Sequence, residues 1–333
     1  MRIAVFYSAS AAAGAFSGLL AYVIGKLDGA HGFRGWRWIF IIEGAISALG
    51  GVLCLLFLPD DPRSSKRWLS QDEIRYLELR KSVPLSGRTE TAEGEQRGFP
   101  WKTLRAVLLD WQMYLMLVVY WSNAMPTYGL KFTMPQVIKN MGFTSANAQL
   151  LKIPPYFMGA VSAICSSWVA DRYTWRMPFI ATGQVLLIVS FAILFGYGAQ
   201  IETRVAECYF ALVLACIGFY PILPGTNAWV LTNLEGQSKR ALGIVFLASL
   251  GNLGGIPGSF FFKASEAPRY PTAYGASFSV AAAGFVACLA LEFTYKRINA
   301  KRDRKTEEEY RRMYSDAQLD EMGDRSPLFR YTL

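Results

Sequence analysis

The chain has 333 residues, 53% of them hydrophobic and 14% aromatic, with a mean hydropathy of +0.23 and a formal charge of +9. That apolar content exceeds what an ordinary soluble domain carries, and nucleic-acid binding is excluded as the meaning of the charge because the basic residues cluster between apolar runs. One histidine, His31, and five cysteines inside apolar runs without C-x-x-C spacing offer neither a metal cluster nor a Ser/His/Asp arrangement, so no enzyme chemistry, cofactor or metal is expected.

A bilayer core of about 30 Å needs roughly 20 apolar residues in helix. Such runs occur at 3–25, 36–58, 111–133, 150–170, 178–199, 207–233, 241–262 and 273–295. The expected fold is therefore all-α, a polytopic membrane protein with eight transmembrane helices. In the first span Gly14 and Gly18 have the small-xxx-small spacing that lets helices approach closely. The second holds Glu43, six residues beyond Arg37, or about 9 Å along a helix. Residues 59–110 form the longest hydrophilic connection, in which Pro59 and Pro62 stop the second span. Ser70 and Glu73 then form a capping-box pattern that predicts a short amphipathic helix over 71–81. The stretch 82–98, rich in Ser, Thr, Gly, Glu and Arg, reads as a linker, and 101–110 as an interfacial lead-in.

The third span contains Asn123 and Tyr128 around Pro126, and Lys152 enters the fourth immediately before Pro154 and Pro155. The sixth holds the densest polar set, including Tyr220, Pro221, Pro224, Thr226, Asn227, Trp229 and Asn233. The seventh carries Gly251, Gly255 and Gly258 around Asn252. Residues 299–333 are highly charged and read as a peripheral tail, within reach of anionic lipid but diluted by their own acidic residues.

With Arg2 taken as inner, 25 of the 34 Lys and Arg fall inside, eight outside, and Lys152 within a span. This bias accounts for the net charge and predicts that both termini are cytoplasmic. Shifting the first two spans by 240 residues lays Phe6 on Phe246, Gly14 on Gly254, Gly18 on Gly258 and Tyr22 on Phe262. The repeat unit is then six helices, as in transporters built from parallel six-helix halves. The expected organisation is 1–58 as the last two helices of a first bundle, 59–110 as a cytoplasmic connection, 111–298 as a complete six-helix bundle, and 299–333 as the tail.

Several ordered segments carry a family resemblance: 14–22, Leu27-Asp28-Gly29, Gly35-Trp36-Arg37-Trp38 running to Glu43-Gly44, Pro59-Asp60-Asp61-Pro62, Asp171-Arg172 with Arg176, and the ending Gly323-Asp324-Arg325-Ser326-Pro327-Leu328-Phe329-Arg330-Tyr331. In these the chain resembles the major facilitator superfamily, and within it the fungal anion:cation symporters that include allantoate- and vitamin-permease-like proteins. The resemblance covers almost the whole chain. It implies that the eight spans correspond to the fifth through twelfth of twelve helices, with the first four absent. It also implies proton-coupled symport of a small organic anion by alternating access, in the plasma membrane. The alternative is a non-transporting remnant or a partner subunit of a fuller transporter.

Under that resemblance Asp171, Arg172 and Arg176 fall on a gating motif of the superfamily, against the plainer reading of positive-inside anchoring; the family's glycine before the final arginine is Trp175 here. Glu43 is the candidate to carry a coupling proton, against a packing carboxylate satisfied by Arg37 or by backbone amides. Lys152 is the candidate to attract a carboxylate, against a side chain that snorkels to the headgroups. Asn227, Trp229 and Asn233, with Tyr128 and Asn123, are candidate substrate contacts, against interhelical hydrogen bonding worth about 1 kcal/mol per pair.

Overall fold

The computed structural model describes residues 2–58, 69–82 and 101–333. The proline stop at 59–62 and nearly all of the expected linker at 82–98 lie outside them. Backbone contacts divide the chain into two compact units, residues 20–100 and residues 1–19 with 101–333.

α1 (Arg2–Gly25) belongs to the larger unit up to residue 19, and in the smaller unit it ends in a turn that leads to α2 (Gly35–Phe57). Gly29 and Gly32 occupy the left-handed region there, and the Asp28 carboxylate accepts the Gly35 amide at the start of α2. Apolar residues cover α2 on every side, and Phe40 and Leu55 are 72% and 86% exposed. The connection contains α3 (Gln71–Ser82), the short helix expected there. Its capping box is formed: the Ser70 amide donates to Glu73 at 2.8 Å, and the Glu73 amide donates to the Ser70 hydroxyl at 3.3 Å. These bonds from the Ser70 amide and hydroxyl hold the Glu73 carboxyl below its ordinary value.

The larger unit is a helical bundle. Its elements are α4 (Trp101–Leu108), α5 (Trp111–Asn140), α6 (Ser145–Leu150), α7 (Ile153–Tyr173), α8 (Met177–Tyr197), α9 (Val205–Asn233), α10 (Gln237–Leu253), α11 (Gly255–Phe261), α12 (Pro271–Arg302), α13 (Glu307–Met313) and α14 (Asp316–Glu321). Side-chain caps start α5, α6, α13 and α14, since Asp110 accepts the Gln112 amide, Thr144 the Asn147 amide, Thr306 the Glu309 amide and Ser315 the Gln318 amide. Proline occupies the first turn of α7, α8 and α12, where a missing N–H removes no helical bond. α8 packs on α9 and α12, α7 on α9, and α5 on α9, α10, α11 and α12. The approach of α8 to α9 requires glycine, because a Cβ at Gly183 would stand 2.8 Å from the Gly218 carbonyl, and the reverse holds at 2.7 Å.

Seven helical segments among the described residues are long and apolar enough to cross a membrane, from Val5–Gly25 to Pro271–Arg302. The eighth expected span, at 111–133, is α5, a helix of 30 residues. It is less apolar than the others because it carries Gln112, Ser122, Asn123, Thr127 and Lys131 along a length that other helices surround. The span expected at 241–262 is two helices joined at Gly254, where a Cβ would meet the Trp121 ring at 2.8 Å. Polarity is inverted relative to a soluble protein: Ser122, Asn123, Gln184, Ser190 and Thr226 are buried while Phe132, Phe157, Phe210 and Phe260 are exposed. Hydrocarbon as the solvent reverses which groups need covering.

The last residues after α12, from 324 to 333, are not peripheral. After α13 and α14 the chain returns to the bundle, and Asp324, Ser326 and Tyr331 are buried at 3%, 1% and 4% exposure. The peripheral reading rested on charge alone, whereas Arg302 and Arg330 are occupied with segment carbonyls and with Asp303.

Candidate functional site

Two cations in the larger unit lie against protein with no carboxylate partner among the described residues. Lys131 stands on α5, one turn beyond Thr127, in a recess also lined by Tyr156 of α7 and by Cys216, Phe219 and Tyr220 of α9. The Tyr156 and Tyr220 rings meet edge to face at 6.3 Å. Pro126 and Pro135 lie within α5, and Gly129 admits α11, its absent Cβ standing 2.7 Å from the Gly258 carbonyl. No sequence motif marks Lys131, and the count of cations by side places it at the outer end of its span. The signal that points to it is an ammonium within the expected span 111–133, one turn beyond Thr127.

Lys152 is 6% exposed at the junction of α6 and α7, and its Nζ donates to Gln149 Oε1 at 3.2 Å. That amide oxygen fills one of three donor positions and leaves the charge uncompensated. The side chain therefore does not reach out to the surface.

The polar candidates on α5 and α9 connect helices. Asn123 donates to the Phe219 carbonyl and accepts from the Thr127 hydroxyl at 3.3 Å, which ties α5 to α9 beside the recess. The Tyr128 hydroxyl donates to Asn252 Oδ1 at 3.2 Å. Asn227 Nδ2 donates to the Tyr7 hydroxyl of α1 at 3.2 Å.

Trp229 and Asn233 are buried against the residues at the end of the sequence. The Trp229 side chain is fully buried, its indole N–H donates to the Thr332 carbonyl at 2.8 Å, and its ring meets Tyr295 edge to face at 5.7 Å. Asn233 donates to the same carbonyl at 3.1 Å and accepts the Thr332 amide at 2.7 Å. The polar partner each finds inside the bundle is the backbone of a segment about a hundred residues later.

At the α7–α8 turn, Arg176 pairs with Asp171 at 2.8 Å, with side chains 17% and 34% exposed. Arg172 is exposed and pairs with no carboxylate among the described residues. Trp175 has its own role: its indole donates to Glu292 Oε1 at 3.1 Å, and Lys296 both pairs with that oxygen at 2.9 Å and stands over the Trp175 ring at 5.3 Å. Glu292 is 4% exposed inside the Pro271–Arg302 span, and its second oxygen is buried without a hydrogen bond. The candidate proton carrier Glu43 is instead exposed on α2, and Arg37 lies over the Trp36 and Phe33 rings, at 5.4 and 6.0 Å.

Comparison with known proteins follows the same lines. A profile described as Major Facilitator Superfamily matches residues 1–259. The chain is 33% identical over 340 residues to "MFS-type transporter cnsO" of Penicillium expansum, covering 100% of this chain and 64% of that protein. It is 32% identical over 308 residues to "MFS transporter prlL" of a fungal species, covering 92% of the chain and 60% of that protein. It is 28% identical over 337 residues to "High-affinity nicotinic acid transporter" of Saccharomyces cerevisiae, covering 99% of the chain and 59% of that protein. The chain thus spans less than two thirds of the length of these relatives.

Proposed function

Because the chain belongs to the major facilitator superfamily, we propose that it serves the passage of a small organic anion across a membrane, with Lys131 as the group that recognises the anion. It is an integral multi-pass membrane protein with the helices to match. The observation that carries the substrate class is the Lys131 ammonium in a recess with Thr127, Tyr156 and Tyr220 and with no carboxylate among the described residues to neutralise it. A charge held away from water needs a counter-charge, and a carboxylate can accept from the ammonium and from ring or threonine hydroxyls together. The aromatic walls suit a flat organic body better than an inorganic ion, and the recess, about 10 Å³ in this structure, must widen to admit one. One relative is named for nicotinic acid, an aromatic carboxylate, which is in keeping with this chemistry.

Lys152 with Gln149 is a second cationic point at the α6–α7 junction, suited to drawing an anion toward the bundle. The coupling ion proposed is the proton. Glu292 has the burial and the unpartnered oxygen that proton exchange requires, and Glu43 is the exposed alternative. The Asp171–Arg176 pair is the proposed latch of the inner gate, with both chain termini on the cytoplasmic side of the plasma membrane.

The test uses labelled nicotinate as the probe, on the purified chain in lipid nanodiscs. Expected is saturable binding that Lys131→Met weakens at least about tenfold, the cost of losing a charged hydrogen bond, while Lys131→Arg keeps most of it. Binding indifferent to Lys131→Met overturns the reading.

A further inference from the structure

The end of the larger unit that carries the α7–α8 turn holds a second built site, already occupied. The 324–333 segment lies across the ends of α5, α8, α9, α10 and α12 and is held mainly by its backbone. The Thr332 carbonyl receives the Trp229 indole N–H and the Asn233 amide, while Asn233 accepts the Thr332 N–H in return. Asn299 repeats this reciprocal pairing with Tyr331, donating to its carbonyl at 2.8 Å and accepting its N–H at 3.0 Å. Arg302 donates to the Phe329 carbonyl at 2.7 Å and to the Asp324 carbonyl at 3.0 Å.

Three side chains of the segment are recognised as well. The Tyr331 ring stacks on Tyr295 at 4.6 Å and 10°, with the Arg302 guanidinium 4.8 Å from its centre, and its hydroxyl accepts from Gln112 at 3.1 Å. Asp324 meets Lys239 at 2.6 Å, and Lys239 also holds the cap of α5, Asp110, at 3.1 Å. Ser326 is buried in the turn between them. Finally, the Leu333 carbonyl accepts the amide of Arg176 at 2.8 Å, the residue whose guanidinium pairs with Asp171.

We propose that this end of the bundle is a peptide-binding site whose ligand is the 324–333 segment of the same chain, and that its occupancy fixes the α7–α8 turn in which Asp171 and Arg176 are paired. Two asparagines that each satisfy both the N–H and the C=O of one residue form a main-chain clamp, the device by which extended peptides are bound with affinity from backbone and specificity from a few pockets. The pockets here accept a carboxylate at 324, a small hydroxyl side chain at 326 and an aromatic ring at 331. Thr174, with φ of +54° beside Arg176, sits in backbone that a β-branched residue rarely adopts, so the turn needs outside support, and the bond from Arg176 to Leu333 supplies one. The inference does not depend on what the protein carries.

Hydrogen exchange on the full chain in nanodiscs tests it, read at the amides of Tyr331, Thr332 and Arg176. In the unaltered chain all three exchange at least about a hundredfold more slowly than unstructured amides. In Asn233→Ala/Asn299→Ala the first two speed up at least about tenfold and Arg176 follows by a similar factor. Amides of α8 and α9 in the same samples report folding, and if the double variant loses them, Arg302→Gln carries the same test with fewer bonds removed. Free exchange at 331 and 332 in the unaltered chain refutes the site. Protection retained at Arg176 after the segment is released refutes its hold on the turn.

Discussion

The two ends of the larger unit treat buried polarity in opposite ways. At the end bearing the α7–α8 turn, the buried lysine is paired within the chain: Lys239 stands between Asp110 and Asp324, and Asn233, Asn299, Trp229 and Arg302 bind the 324–333 backbone, while one oxygen each of Asp324 and Glu292 is left without a hydrogen bond. In the recess on α5 and at the α6–α7 junction, Lys131 and Lys152 lack any carboxylate among the described residues. Burying a charge is costly unless it is paired. A satisfied cluster therefore contributes specificity of fold, whereas an uncompensated one retains its capacity for a ligand. The same residue type, lysine, serves both purposes, and only its partners distinguish them.

The sharpest way to break this comparison is to remove the cation from the satisfied end. Lys239→Met leaves the Asp110 and Asp324 carboxylates, 2% and 4% exposed, facing each other without a counter-charge. The expected loss is about 3–5 kcal/mol, the range for breaking a buried pair by deleting one partner, visible as the largest drop in melting temperature among single variants in nanodiscs. Lys239→Met combined with Asp110→Asn and Asp324→Asn should recover much of it, since the orphaned charges are then gone. A Lys239→Met chain that melts like the unaltered one would mean that this end is not held by the triad.

At the other end, Lys131→Met should do the reverse. Stability stays level or rises slightly, because an uncompensated ammonium is replaced by an apolar chain of similar length. Binding of labelled nicotinate falls at least about tenfold. A protein destabilised by Lys131→Met, with binding intact, would reclassify Lys131 as structural and erase the contrast between the ends.

The sequence made the helices legible and the partners illegible. Run length and apolarity fixed α9 at 207–233 against the observed Val205–Asn233, and Ser70 with Glu73 marked the start of α3. The division of 241–262 into α10 and α11 was hidden because Gly254 reads equally as a packing glycine and as a break. Trp229 and Asn233 were visible as polar groups in an apolar helix, which announces that a partner is needed but not which one. Their partner, Thr332, is nearly a hundred residues away and offers only backbone, and backbone leaves no trace in composition. Lys131 was obscured for a different reason, since counting charges by side absorbs a cation near a helix end into the general bias.

Alkaline pH gives a graded test of the satisfied end. Burial against Tyr295 raises the Tyr331 phenol above its ordinary value near 10. A folded value raised above the unfolded one means that the protonated form is bound preferentially, so its contribution is complete below pH 10 and is lost as pH climbs through the raised value. Exchange at the Tyr331 and Thr332 amides, corrected for intrinsic base catalysis, should accelerate across that window in the unaltered chain and not in Tyr331→Phe. An unchanged profile in Tyr331→Phe would assign the loosening to another group.

The smallest effect is expected where the same capping device is left in water. Glu266, before α12, accepts the Thr272 hydroxyl at 2.7 Å and the Thr272 amide at 3.0 Å, much as Asp110 caps α5, but no lysine is buried with it. The Thr272 hydroxyl first, and its amide second, lower the Glu266 carboxyl from its ordinary 4.5. A folded value below the unfolded one contributes stability that is fully present above pH 4.5 and is lost as pH falls through the lowered value. Glu266→Gln should therefore melt slightly below the unaltered chain at pH 7, and the gap should close on acidification below pH 4.5. Asp110→Asn, by contrast, should cost far more at pH 7, because it removes one of the two buried carboxylates paired with Lys239 as well as weakening the cap. Equal losses from the two variants at neutral pH would show that the cap bond itself, and not the buried charge behind it, decides the difference between the ends.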